Sequence, residues 1–132
     1  SKIVKVARYS EAGPGPAGSA MTVEFQLNGQ TFIGLNGGPM FTHSEAASIV
    51  VNCDSQAEID RLWSALTADG GKEVMCGWLK DKYGISWQIV PARLKELMNT
   101  ADAATSARVM GALLQMVKLD IAELEAAAGK VA

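Results

Sequence analysis

Apolar and charged positions alternate along residues 2–9, KIVKVARY, and the apolar ones include β-branched residues, which predicts a strand. Residues 10–19, SEAGPGPAGS, break the pattern with glycine and proline, so they form a loop: a long hairpin connection or a lid. Alternation resumes in MTVEFQL and QTFIGLN, which flank Asn28-Gly29. Asn-Gly between two strands favours a two-residue type I′ turn, because both turn residues need positive φ. That turn sets Phe25 opposite Phe32, Glu24 opposite Ile33 and Val23 opposite Gly34. One face then carries Val23, Phe25, Leu27 and Phe32, and the other Glu24 and Gln26 beside Ile33 and Leu35. Both faces are partly apolar. Residues 36–45, NGGPMFTHSE, form a second loop, since Asn36-Gly37-Gly38-Pro39 cannot continue a strand.

The second half has a different rhythm. Residues 47–53, ASIVVNC, are a nearly continuous apolar run and predict a central strand. Ser55-Gln56-Ala57-Glu58 is a capping box, and Ile59, Leu62, Trp63 and Leu66 form one buried stripe of the helix that follows. Gly70-Gly71 ends that helix. Residues 72–77, 78–82 and 85–90 predict three short strands. Pro91 closes them and suits the first turn of a helix with Leu94, Leu97 and Met98 on one side. Residues 103–117 predict a helix with Val109, Leu113, Met116 and Val117 on a stripe. Asp120 to Glu123 reads as the cap of a last helix, closed by Gly129. Met98, Met110 and Met116 suit core or subunit packing. These helices are expected to dock on the outer face of a sheet or on a second subunit.

The element order contains a complete βαβββ unit at 46–91. Before it, 1–36 is the same unit without its opening strand and helix, and 92–132 adds C-terminal helices. The expectation is one α+β domain over 1–132 with an architectural repeat.

Composition narrows the function. The chain has 132 residues, 48% hydrophobic and 20% charged, enough to bury a core. A net charge of -2 offers no basic patch, so nucleic acid is not expected as a partner. No apolar run reaches the ~20 residues of a membrane span, and SKIVKVARYS lacks a signal peptide's apolar core. Cys53 and Cys76 both sit in strand-like apolar stretches and read as reduced thiols of a cytoplasmic protein.

Candidate chemistry concentrates at 74–91, VMCGWLKDKYGISWQIVP, which holds two of the three tryptophans. Alternation puts Ser86, Gln88 and Val90 on one face and Ile85, Trp87 and Ile89 on the other. Trp78 and Gln88 are therefore the leading ligand-binding candidates, with Glu24, Phe41, Ser48 and Ser86 beside them. Glu24 would act as a general base if desolvated and would do nothing if solvated. No catalytic residue is assigned. Cys76 would need a cation to become reactive; Lys80 and Lys82 are near in sequence but read as solvated on an exposed turn. His43 is the only histidine and reads as a loop residue. Gly37-Gly38 has neither a Walker spacing nor a helix directly after it, so it reads as a plain turn.

Paired βαβββ modules are the plan of the vicinal oxygen chelate superfamily, which includes glyoxalase I, extradiol dioxygenases and bleomycin-resistance proteins. Ser48 to Asp54, followed by Glu58 to Trp63, resembles the central strand and helix of its PhnB-like branch. Cys76 to Pro91, CGWLKDKYGISWQIVP, resembles that branch's closing signature, and Arg108-Val109-Met110 through Asp120-Ile121 and Leu124 its last helices. Members often carry the label 3-demethylubiquinone 3-methyltransferase. The resemblance implies a glyoxalase-like fold whose first module here lacks its opening strand and helix, leaving a sheet edge that a partner subunit would cover.

Metal-dependent relatives place His, Glu or Gln ligands on each module's first and last strands. Here Gly34-Leu35-Asn36 and Ser48 offer none, and Gln88 offers only a neutral amide, against about three protein ligands for a catalytic divalent ion. No metal is expected. The methyltransferase label implies an S-adenosylmethionine site, yet no βα unit has a glycine-rich turn followed by an acidic residue, so no cofactor is expected. The reading is a homodimeric protein that binds a small organic ligand, aromatic or apolar. The alternatives are a metal-dependent isomerase, lyase or oxygenase of the superfamily, the nominal methyltransferase, or a dimeric module with no ligand.

Overall fold

In a computed structural model, which describes residues 1–100 and 102–129, the chain is α+β and divides into two compact units, 1–42 and 43–132. The first unit is a three-stranded antiparallel meander, β1 (Lys2–Arg8), β2 (Ala20–Leu27) and β3 (Gln30–Leu35), in that spatial order. Asn28 and Gly29 both take positive φ, 47° and 81°, as a type I′ turn requires. The expected register follows: Phe25 pairs with Phe32, Glu24 with Ile33 and Val23 with Gly34. The Phe25 and Phe32 rings stack with centroids 5.6 Å apart. β1 is less regular than its alternation suggests, because shifts between Ile3 and Lys5 and between Ala7 and Arg8 re-aim its side chains. The Gly/Pro loop is a hairpin connection, anchored where Tyr9 N–H donates to Ser19 O and Gly18 N–H to Tyr9 O, both at 2.9 Å.

The second unit is the complete βαβββ module followed by helices. β4 (Ser48–Cys53) leads to α1 (Gln56–Thr67) and a 3-10 turn (Ala68–Gly70). Then come β5 (Lys72–Glu73), β6 (Trp78–Lys80) and β7 (Ser86–Pro91). The spatial order is β4-β7-β6-β5; β4 runs parallel to β7, and the other pairs are antiparallel. Parallel pairing needs a crossover, and α1 supplies it. Ser55 Oγ accepts from Glu58 N–H at 3.2 Å, while the Glu58 carboxylate reaches one residue past the cap, to Asp54 N–H at 3.0 Å. Ile59 and Trp63 press on Cys53, Leu79 and Ile89 of the sheet, with Leu62, Leu66 and Trp87 at the margin. This face is buried, and its burial is the main favourable term for the unit.

Two strand expectations are corrected. Residues 74–77 are a turn, so β5 keeps only two residues. Cys76 takes φ 62° there, and its N–H donates to Met116 O and that of Gly77 to Val117 O, both at 2.8 Å. The backbone turns toward the C-terminal segment instead of continuing the ladder. Pro91, in turn, ends β7 opposite Cys53 rather than opening a helix; Ala92 N–H makes the next bond, to Cys53 O at 2.8 Å. Helix α2 (Leu94–Met98) starts three residues later.

Helices α3 (Ala103–Gln115) and α4 (Ile121–Ala127) complete a second apolar cluster of Leu97, Val109, Met116, Leu119 and Leu124, packed on Val90. α3 stops at Gln115, so Met116 and Val117 lie beyond it and not on its stripe. Ala101 and residues 130–132 of the expected helical range lie outside the described residues. Asp120 caps α4 by accepting from Glu123 N–H at 2.9 Å. Gln56 ties this tail to α1: its amide donates to Leu119 O at 3.0 Å and accepts from Ile121 N–H at 2.9 Å. The helices therefore dock on their own unit's sheet and on α1.

Candidate functional site

α1 covers one face of the β4-β7-β6-β5 sheet, and the opposite face, packed at its Val90 end against the C-terminal cluster, carries most of the candidates. Register decides which residues meet there. Ser48 pairs with Ser86, and Ser86 with Lys80. Two residues along, Val50 pairs with Gln88, and Gln88 with Trp78. The face thus has one polar row, Ser48-Ser86-Lys80, and one mixed row, Val50-Gln88-Trp78. The rows are about 7 Å apart, the span of two strand residues. Four of the six sequence candidates, Trp78, Gln88, Ser48 and Ser86, lie together here.

Gln88 Nε2 donates to Ser48 Oγ at 2.9 Å, which fixes the amide and leaves its carbonyl without a described partner. Ser86 is 1% exposed, and its Oγ has no hydrogen-bond partner among the described residues. A buried hydroxyl left unpaired costs about 1–3 kcal/mol. Trp78 is half-buried, and no acceptor engages its indole N–H among the described hydrogen bonds. The other two tryptophans are committed: Trp63 Nε1 donates to Glu73 at 2.6 Å and Trp87 Nε1 to Asp81 at 2.9 Å.

Lys80 was expected on a solvated turn. It lies instead within β6, with its ammonium paired to the Glu45 carboxylate. The Lys80 bond holds the Glu45 carboxyl below the usual carboxylate range. Strand alternation from Trp78 would have placed Lys80 on this face. Nothing in the sequence marks Glu45, because its partner lies on a distant strand.

The other two candidates belong to the first unit. Glu24 sits half-buried on β2, opposite Lys5 and Ile33. Phe41 stands 86% exposed in the loop after β3. Within that unit a depression of about 220 Å³ lies between the Gly/Pro loop and Asn36-Gly37-Gly38. The Tyr9 hydroxyl donates to Asn36 O across it, and the Tyr9 ring presses so closely on Gly15 that a Cβ there would clash with the ring carbons. Structural packing accounts for those residues.

The remaining candidates are quiet. Cys53 is buried, and burial first, then the Glu58 and Asp54 charges, pushes its thiol up to about 11, so it is a poor nucleophile. Cys76 lies in the turn described above, not in a strand. His43 is an exposed loop residue. No helix among the described residues is long and apolar enough to cross a membrane.

Comparison with known proteins places this geometry. A family model described as 3-demethylubiquinone-9 3-methyltransferase matches residues 1–90. A PhnB protein of Bacillus cereus that carries the same label is 38% identical; the match covers 68% of this chain and 78% of that one, with a TM-score of 0.62. The chain belongs to this PhnB-like family. A crystal structure from Pseudomonas aeruginosa shares the fold at 22% identity and a TM-score of 0.53, over 68% of this chain and 77% of that one. None of the curated proteins matches. PhnB-like membership agrees with the glyoxalase-like βαβββ module, and the match spans both the meander and the open sheet face.

Proposed function

We propose that this PhnB-like chain binds a small organic ligand on the open face of the β4-β7-β6 sheet, without a divalent metal. The observation that carries the reading is the row Val50-Gln88-Trp78: an aromatic and an aliphatic surface flank one amide whose orientation is fixed. Few polar groups placed on an apolar surface are what a small-molecule site needs. The donor set argues against a cation. It consists of one amide oxygen, two hydroxyls and the Glu45 carboxylate, and that single carboxylate is neutralised by the Lys80 ammonium, which would repel a divalent ion. Nor does the β4-α1 turn, Cys53-Asp54-Ser55, have the glycines that bring a nucleotide close to a helix N-terminus.

A broad ligand screen tests this by tryptophan fluorescence and melting temperature. Aromatic ligands quench the wild type and raise its melting temperature; Trp78→Phe loses the quenching. An unresponsive protein contradicts the proposal. So does stoichiometric metal in the purified protein that is lost on Gln88→Ala.

The chain acts as a homodimer in this reading. Ile3, Ile33 and Leu35 of the meander are about 70% exposed, an apolar surface that a second copy would bury. Sedimentation at micromolar concentration gives a dimer; a monomer contradicts this part.

A further inference from the structure

We infer that the ligand carries a carboxylate, seated on the Lys80-Ser86-Ser48 row, and that Glu45 occupies the carboxylate's place until it binds. The inference rests on the binding face proposed above and names what kind of ligand fits it. Three observations carry it, two of them independent of Trp78 and Gln88.

First, a carboxylate already sits on Lys80. Glu45, from the loop preceding β4, pairs its carboxylate with the Lys80 ammonium. Glu45 is itself 59% exposed at its side chain, whereas Lys80 is 30% exposed. The cation is the sheltered partner and the acid the replaceable one, since an exposed ion pair adds little stability. Second, Ser86 Oγ is buried beside Lys80 and has no partner among the described residues. Its hydroxyl is a donor that the Glu45 contact does not use. Third, Ser48 Oγ accepts from Gln88 Nε2, so its own proton is free to donate. A carboxylate accepts on both oxygens and gains from an ionised donor. One ammonium and two hydroxyls in a single cross-strand row match that capacity.

The second row sets the rest of the ligand. Trp78 and Val50 lie about 7 Å along the strands from the polar row. An aromatic ring placed over Trp78 therefore needs a short chain to its carboxylate, as in 4-phenylbutanoate. The uncharged analogue, 4-phenylbutanamide, keeps the ring and loses the charge.

Titration of tryptophan fluorescence with these two compounds separates the possibilities. In the wild type the carboxylate binds at least about tenfold tighter than the amide. Glu45→Gln removes the competing acid, so carboxylate affinity rises about threefold or more while amide affinity is unchanged. Lys80→Gln weakens the carboxylate about tenfold and the amide by much less, so the acid loses its advantage over the amide. Circular dichroism and melting confirm that both variants fold. Equal binding of acid and amide overturns the inference and leaves the binding face standing. Weaker carboxylate binding in Glu45→Gln also overturns it, because Glu45 would then help the ligand. If neither compound binds the wild type, the inference fails.

Discussion

Asp81→Ala lowers the stability of the second unit by about 3 kcal/mol, the largest loss expected from a single polar residue. Asp81 Oδ1 accepts from Tyr83 N–H at 2.9 Å and Ile85 N–H at 3.1 Å, and Oδ2 accepts from Trp87 Nε1 at 2.9 Å. The backbone closes the same turn, with Asp81 N–H donating to Ile85 O and Gly84 N–H to Asp81 O. One carboxylate thus shapes the β6-β7 connection and fixes the ring that borders the core. Hydrogen bonds to an ionised acceptor are the strong ones, and three donors are orphaned when it goes. Solvent reaches part of this turn, which keeps the sum well below three full bonds. Asp81→Asn retains one acceptor oxygen and costs about half as much. All three tryptophans, Trp63, Trp78 and Trp87, lie in this unit, so denaturant unfolding followed by their fluorescence reports it directly. A loss under about 1 kcal/mol would show that the turn holds without its acid.

Gly77→Ala costs a similar amount, about 3 kcal/mol, by a different route. Gly77 sits at φ 80°, where a side chain is strained. A Cβ would lie 2.9 Å from two Leu119 carbons and 3.0 Å from Ile89 O. Leu119 is fully buried and Ile89 O belongs to the central strand, so neither gives way cheaply. Gly77 N–H also holds Val117 O, so the same change loosens the C-terminal segment. Gly111→Ala is the contrast. It lies in α3 with open space around it and gains about 0.5–1 kcal/mol from helix propensity. Unfolding midpoints of the two variants should move in opposite directions; a neutral Gly77→Ala would mean that the turn can repack.

The elements that local chemistry specifies were legible in the chain. Asn28-Gly29 fixed the hairpin register because its two positive φ angles leave one way to pair the strands. Ser55 and Glu58 marked the start of α1, and the Ile59-Trp63 stripe marked its buried face. The face split within 86–89 followed from alternation alone, and it holds: Trp87 and Ile89 border the core while Gln88 turns away.

What stayed hidden depends on partners distant in sequence. The apolar run Val74-Met75-Cys76 looks like a strand, yet carbonyls of Met116 and Val117 pull it into a turn. Lys80 looked solvated because Glu45, which holds it, is remote in the chain. Asp81 lies between two lysines that read as solvated, and only the fold shows the three donors converging on it. Reading a site from alternation finds the face; it does not find the loop that reaches over it.

Nuclear magnetic resonance of the tryptophan indoles tests the central claim most directly. The three N–H groups are distinguishable by their partners: Trp63 on Glu73, Trp87 on Asp81, and Trp78 with no described acceptor. With 4-phenylbutanoate added, the Trp78 indole and the Gln88 side-chain amide should shift and saturate together, while Trp63 and Trp87 hold still. Binding that shifts only Trp63 and Trp87 would contradict a ligand on this face of the sheet.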